Sequence, residues 1–173
     1  MRTRKREPLD FYRTERRAVE LVRPFLPNGI AWEPCAGLGD ISDCLIGAVS
    51  TDIKSRRSDI GEIDFLKCEK PMGDFIITNP PFNRAKEMIQ HALRLGIISI
   101  WLLNEQWVGR QGNYGLTKCG LYRHITICSL IKFITEDGRV VNGNGTGQCG
   151  WYFFDPKQDA LTEQLWLSYK DIK

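Results

Sequence analysis

Ile30-Ala31-Trp32-Glu33-Pro34-Cys35-Ala36-Gly37-Leu38-Gly39-Asp40 carries a short apolar run that ends on an acid and opens into a turn with two glycines. Glycine has no Cβ, so such a turn lets a ligand come close to the backbone. Ile41 to Val49 continues as a predicted helix. Strand, glycine turn and helix in that order open a βαβ unit of the nucleotide-binding kind. Two glycines are one short of the full dinucleotide fingerprint, so the reading rests on what lies on either side.

Upstream, Ala18, Val19, Leu21, Val22, Phe25 and Leu26 recur at helical spacing from Thr14 onward. Pro24 disfavours the helical region for Arg23, which predicts the end of that helix. Asn28-Gly29 is a turn. Downstream, a second strand spans Val49 to Ile53 with Asp52 at its end, and a polar loop leads to Gly61–Leu66, which holds Asp64. Asp74-Phe75-Ile76-Ile77-Thr78 reads as a buried strand that Asn79-Pro80-Pro81-Phe82 cannot extend. Arg84 to Leu95 has helical periodicity closed by Gly96. Ile97 to Leu103 is nearly continuous in apolar residues, as in a parallel sheet covered on both faces. Glu105 to Tyr122 predicts a loop with a short helix. His124–Ile134 and Gly150–Phe154 predict strands, joined by the glycine-rich segment 138–150, and such a link favours an antiparallel pair. The sum is an α/β three-layer sandwich, mostly parallel, with one antiparallel strand late in the chain.

The length of 173 residues suits one domain. A hydrophobic content of 42% with 26% charged residues excludes a disordered or fibrous chain. No apolar run reaches the roughly 18–20 residues that span a bilayer, and the basic N-terminus lacks a secretory core; a cytoplasmic, reducing location is expected. Cys35, Cys44, Cys68, Cys119, Cys128 and Cys149 form no Cys-x-x-Cys pair, and His91 and His124 fall in no ligand spacing. They are therefore read as buried or half-buried thiols, with no metal site. Net charge is only +3, yet eight of the 24 basic residues (Arg2, Arg4, Lys5, Arg6, Arg13, Arg16, Arg17, Arg23) crowd the first 24 positions. Residues 1–10 read as a basic leader suited to phosphates or as a solvated end.

The chemistry concentrates at Asn79-Pro80-Pro81-Phe82. Ligands of open α/β sheets bind beyond the carboxyl ends of the strands, and this tetrapeptide sits at one. The prolines fix φ and supply no N–H, so the Asn79 side-chain oxygen and the Pro80 carbonyl form a stiff pair of acceptors. Such a pair matches a planar NH2 group, which has two donors, and Phe82 offers a face on which a ring can stack. Asp52 lies fifteen residues after Gly37, about where dinucleotide folds place a ribose-binding acid.

The succession Glu33-Pro34-Cys35-Ala36-Gly37-Leu38-Gly39, Thr51-Asp52-Ile53, Asp64-Phe65-Leu66 and Asn79-Pro80-Pro81-Phe82 resembles the S-adenosylmethionine-dependent DNA adenine (N6) methyltransferases. Small phage and prophage forms share Tyr12-Arg13-Thr14 ahead of the first strand and an aromatic last strand like Trp151-Tyr152-Phe153-Phe154. The resemblance implies a Rossmann-like, seven-stranded sheet and a single methyltransferase domain over 11–173. It implies transfer of a methyl group from S-adenosylmethionine to the exocyclic amine of adenine in DNA. Asn79, Pro80, Pro81 and Phe82 would hold the target base. Glu33 and the Cys35–Ala36–Gly37 backbone would hold the methionine part of the cofactor, and Thr14 would lie near its carboxylate. Asp52 would take the ribose hydroxyls, Ile53 and Phe65 would flank the adenine, and Asp64 would accept from its amine. Asn79 would border cofactor and base alike.

At this length no separate target-recognition domain is expected. Arg4, Lys5, Arg6, Arg84, Arg110, Lys118 and Arg139, with Arg123 beside them, are the candidate nucleic-acid contacts. A monomer or weak dimer is expected, in the host cytoplasm if the chain is phage-encoded. Adenine in RNA, a protein glutamine amide, and an inactive nucleic-acid-binding or partner module remain the alternatives.

Overall fold

The computed structural model describes residues 12–132, 134, 135, 138, 140, 148–158 and 163–172. The expectations for the leader 1–10, for its Arg4, Lys5 and Arg6, and for Arg139 fall outside the described residues.

Three α-helices are described: α1 (Arg16–Val22), α2 (Ala85–Arg94) and α3 (Tyr114–Lys118). The strands are β1 (Ala31–Glu33), β2 (Val49–Asp52), β3 (Gly61–Glu62), β4 (Phe75–Thr78), β5 (Ile98–Asn104), β6 (Leu121–Ile127), β7 (Cys149–Phe154) and β8 (Glu163–Leu167). Among the described residues they make one eight-stranded sheet in the order β3-β2-β1-β4-β5-β7-β6-β8. Every neighbouring pair is parallel except the two that β7 makes with β5 and β6. β7 is the late antiparallel strand.

Alternation along the central strands gives each face its own core. Phe75 and Ile77 of β4, Ile100 and Leu102 of β5 and Trp151 and Phe153 of β7 pack with Ala18, Val19, Leu21 and Val22 of α1. Ile76, Trp101, Leu103, Tyr152 and Phe154 project to the other face, against Ala85, Met88, Ile89 and Ala92 of α2. Those α2 positions recur at three and four residues, the spacing of one helix stripe. The result is three layers, α1, sheet and α2. The fully buried Trp151 also donates its indole N–H to the Ala18 carbonyl at 2.9 Å, tying α1 to the sheet.

Several expectations need correction. No helix fills 41–49. One 3-10 turn, Ser42–Cys44, is followed by Gly47 at φ +71, and β2 begins at Val49. A left-handed residue cannot sit inside a right-handed helix, and Ile46 is fully exposed, so nothing there packs. β6 ends at Ile127, short of Ile134, and Tyr122 belongs to β6 and not to the preceding loop. The eighth strand, β8, pairs parallel to β6 at the sheet edge; its alternating Leu165 and Leu167 face the α1-side core. Cys119 and Cys128 are exposed, while Cys149 is buried and Cys35, Cys44 and Cys68 are half-buried. Among the described residues, no helix is long and apolar enough to cross a membrane.

Trp151→Ala removes a buried indole and its hydrogen bond to the Ala18 carbonyl. Unfolding in denaturant should show a loss of about 3–5 kcal/mol; a change near zero would mean that α1 is not held by this residue.

Candidate active site

A cavity opens beyond the carboxyl ends of β1, β2 and β4. Residues 12–14, 33–38 with Asp40, 52–53 with Arg56, 64–66 and 79–84 line it, together with Met88. The structure thus brings Thr14, Glu33, Cys35, Ala36, Gly37, Asp52, Ile53, Asp64, Phe65, Asn79, Pro80, Pro81, Phe82 and Arg84 around one space. Arg110 and Lys118 are exposed on segment 105–120 and are not part of the lining; Lys118 lies over the Tyr114 ring at 5.0 Å. Arg123 is occupied structurally, paired with Glu163 at 2.7 Å and laid over the Phe25 and Phe153 rings.

The corner at Asn79 begins where β4 runs out of backbone donors. The Pro81 carbonyl accepts from Arg84 N at 2.9 Å, which turns the chain into α2. The Asn79 amide nitrogen donates to the Tyr12 carbonyl at 3.3 Å and to Thr14 Oγ1 at 3.1 Å. A carbonyl can only accept, so the nitrogen must face Tyr12 and the amide orientation is decided. Among the described residues, no hydrogen bond is made to Asn79 Oδ1 or to the Pro80 carbonyl. Half-buried Phe82 lies next to them in the lining.

The glycine turn is shaped from beneath. Gly37 and Gly39 take positive φ, +56 and +82. Asp52 Oδ2 accepts from Gly37 N at 2.8 Å, and its Oδ1 accepts from Lys54 N at 3.0 Å. Each carboxylate oxygen keeps a further lone pair for a ligand. Arg57 braces the same turn, donating to the Leu38 carbonyl at 2.8 Å and to Asp43 at 2.6 Å. Asp64 caps the short turn Phe65–Lys67 by accepting from Leu66 N at 3.1 Å through Oδ1. Phe65 is a wall held by its neighbours, edge-on to Trp32, His91 and Trp101 with centroids 4.9–6.3 Å apart. Ile53 is 47% exposed although it lines the cavity, an apolar face open to a flat ligand.

Glu33 is only 2% exposed. Burial pushes its carboxyl well above the ordinary carboxylate range; the Ser42 N–H, at 2.7 Å, opposes the rise, and Asp40 and Asp43 add to it. Burial likewise pushes the Cys35 thiol up, with Asp52 adding to the shift, so Cys35 is no thiolate nucleophile.

Sequence reasoning did not find the partners that fix these groups. Arg13 grips both oxygens of Asp40 at 2.7–3.2 Å across 27 positions, and no local pattern announces such a pair. Arg56, whose side chain is 9% exposed, comes within 3.7 Å of Asp52. An arginine four residues past the acid at the end of β2 was the available signal.

No family model matches the chain, and no curated protein sequence does. Solved structures do. A protein described as an RNA methyltransferase from Pyrococcus horikoshii superposes with TM-score 0.60 at 14% identity, over 85% of this chain and 87% of that one. One described as an O-methyltransferase from Agrobacterium tumefaciens gives 0.55 at 11%, over 89% and 85%. A class I S-adenosylmethionine-dependent methyltransferase from Listeria monocytogenes gives 0.52 at 10%, over 84% of this chain and 61% of that one. The fold is that of the class I methyltransferases. Within this methyltransferase fold, the cavity lies at the carboxyl edge of the parallel strands, where open α/β sheets take their ligands.

The buried Glu33 makes stability depend on pH. Its folded pKa lies above the unfolded value near 4.3, so the folded state binds the proton more tightly. Stability is then fully present below about pH 4 and is lost as pH rises through the folded pKa. Glu33→Gln keeps an oxygen for Ser42 N and removes the titration. Melting curves from pH 4 to 8 should show the native protein losing stability relative to this variant as pH rises. Parallel curves would mean that Glu33 binds its proton alike in the folded and unfolded chain.

Proposed function

We propose that the chain transfers the methyl group of S-adenosylmethionine to the exocyclic N6 amine of adenine in DNA. The observation that carries the reading is the pair of acceptors without hydrogen-bond partners among the described residues, Asn79 Oδ1 and the Pro80 carbonyl, at the rim of a cavity in a methyltransferase fold. The residues present fit the cofactor. Asp52 retains lone pairs for two ribose hydroxyls, Asp64 Oδ2, with Lys67 Nζ at 3.9 Å, keeps lone pairs for an adenine amine, Ile53 offers an apolar face, and the Gly37 turn admits close approach. Bound there, S-adenosylmethionine would supply an electrophilic methyl group on a sulfonium.

An exocyclic amine is a weak nucleophile because its lone pair is delocalised into the ring. If Asn79 Oδ1 and the Pro80 carbonyl each accept one N–H, the nitrogen is drawn toward tetrahedral geometry and its lone pair becomes available. The chain contributes position and oriented dipoles rather than a covalent step. Proton loss can follow transfer, so the site needs no strong base, and the raised pKa of the Cys35 thiol fits that chemistry. Phe82 stacking would contribute about 1–3 kcal/mol, which offsets much of the few kcal/mol spent on bringing a base out of a duplex. Arg84 lines the cavity with a guanidinium paired to Glu87 at 3.2 Å, an exposed pair that a phosphate would share or displace.

The description of the Pyrococcus protein as an RNA methyltransferase favours adenine in RNA as the second reading. Incubation with labelled cofactor and separate DNA, RNA and protein pools, followed by nucleoside mass spectrometry, distinguishes the substrates, a glutamine amide included. Label in N6-methyladenine of DNA is expected. Cofactor binding without transfer to any pool would support a non-enzymatic module.

Two variants probe the two halves of the site. Asn79→Ala should lower turnover about 100-fold or more with cofactor affinity within a few-fold of native, and retained turnover would remove Asn79 from the chemistry. Asp52→Ala should weaken cofactor binding about tenfold or more, read by calorimetric titration; unchanged affinity would take Asp52 out of the cofactor site.

A further inference from the structure

We propose that the segment Tyr12–Thr14 is a positioning device for Asn79, with Thr14 as its positioning side chain, and that it sets the site to take an amine and reject an oxygen. The inference rests on the methyl-transfer reading and adds the polarity of the substrate group to it.

A carboxamide has two ends of nearly equal size and opposite hydrogen-bonding character. With the oxygen turned to the cavity, Asn79 accepts from an NH2. Rotated by half a turn, it presents two N–H donors and repels the same group. Nothing inside the Asn79-Pro80-Pro81-Phe82 corner chooses between these states. The choice is made by chain 65 to 67 positions away: the Tyr12 carbonyl at 3.3 Å and Thr14 Oγ1 at 3.1 Å occupy both amide hydrogens. Thr14 is 7% exposed, so water competes little for that bond.

The segment is itself held in place. Arg13 N donates to the Ile134 carbonyl at 2.8 Å, and the Arg13 guanidinium reaches Asp40 with its shortest contact at 2.7 Å. Arg13 thus points to the glycine turn while the groups on either side of it address Asn79. One three-residue strap joins the turn of 36–40 to the amine corner. When Thr14 Oγ1 accepts from Asn79, its own O–H remains free to donate, so holding Asn79 does not consume the hydroxyl.

The test compares full-length Thr14→Val, Thr14→Ser and Asn79→Ala, using adenine-containing duplex DNA and S-adenosylmethionine. Thr14→Val should lower kcat about tenfold with cofactor affinity and melting temperature near native, and Thr14→Ser should recover most of the loss. Native kcat in Thr14→Val, beside an inactive Asn79→Ala, overturns the positioning role and leaves the methyl-transfer reading standing. A loss of cofactor affinity in place of kcat also overturns it, by moving Thr14 onto the cofactor.

A fully active Asn79→Ala sinks the methyl-transfer reading instead. The strap is then judged without substrate, by hydrogen exchange of the Asn79 side-chain amide in NMR spectra. Exchange at least about tenfold faster in Thr14→Val supports the clamp; an unchanged rate rejects it.

Discussion

Two successive residues without a backbone N–H, Pro80 and Pro81, are the constraint on which the site depends. β4 lies between β1 and β5 and is paired with both. The prolines end its ladder just after Thr78, while β5 runs on to Asn104. The difference in length opens a step at the carboxyl edge of the sheet. Because the prolines have no N–H to offer, that step is lined by oxygens rather than by donors. The polarity of the cavity at this end follows from a deletion of hydrogen-bond donors as much as from any side chain.

The opposite end is built by a different economy of groups. The N–H of Gly37, a position of positive φ, is held from beneath by Asp52, and the N–H of Ser42 a few residues on is held by Glu33. Asp52 therefore shapes the turn before it meets any ligand. Glu33 does the same from a site with little water, at the cost of a carboxyl that holds its proton unusually tightly.

Legibility from the amino-acid sequence followed the range of the interactions involved. β4, β5 and the Asn79 corner are encoded within a few residues by apolar runs and two prolines, and they stand where the pattern put them. The apolar pattern over 41–49 misleads because Gly47 turns left-handed and Ile46 has nothing to pack against. β8 leaves little trace in the sequence because a half-exposed edge strand has only one face to bury, and two leucines are its whole signal. The Arg13–Asp40 and Thr14–Asn79 pairs join residues 27 and 65 positions apart, and only the folded sheet brings them together.

The strap across the cavity also has a practical side. Residues 12–14 touch the proline corner and the glycine turn at once. A substitution in this segment therefore disturbs two walls of the cavity together, although it belongs to neither of the loops that form them.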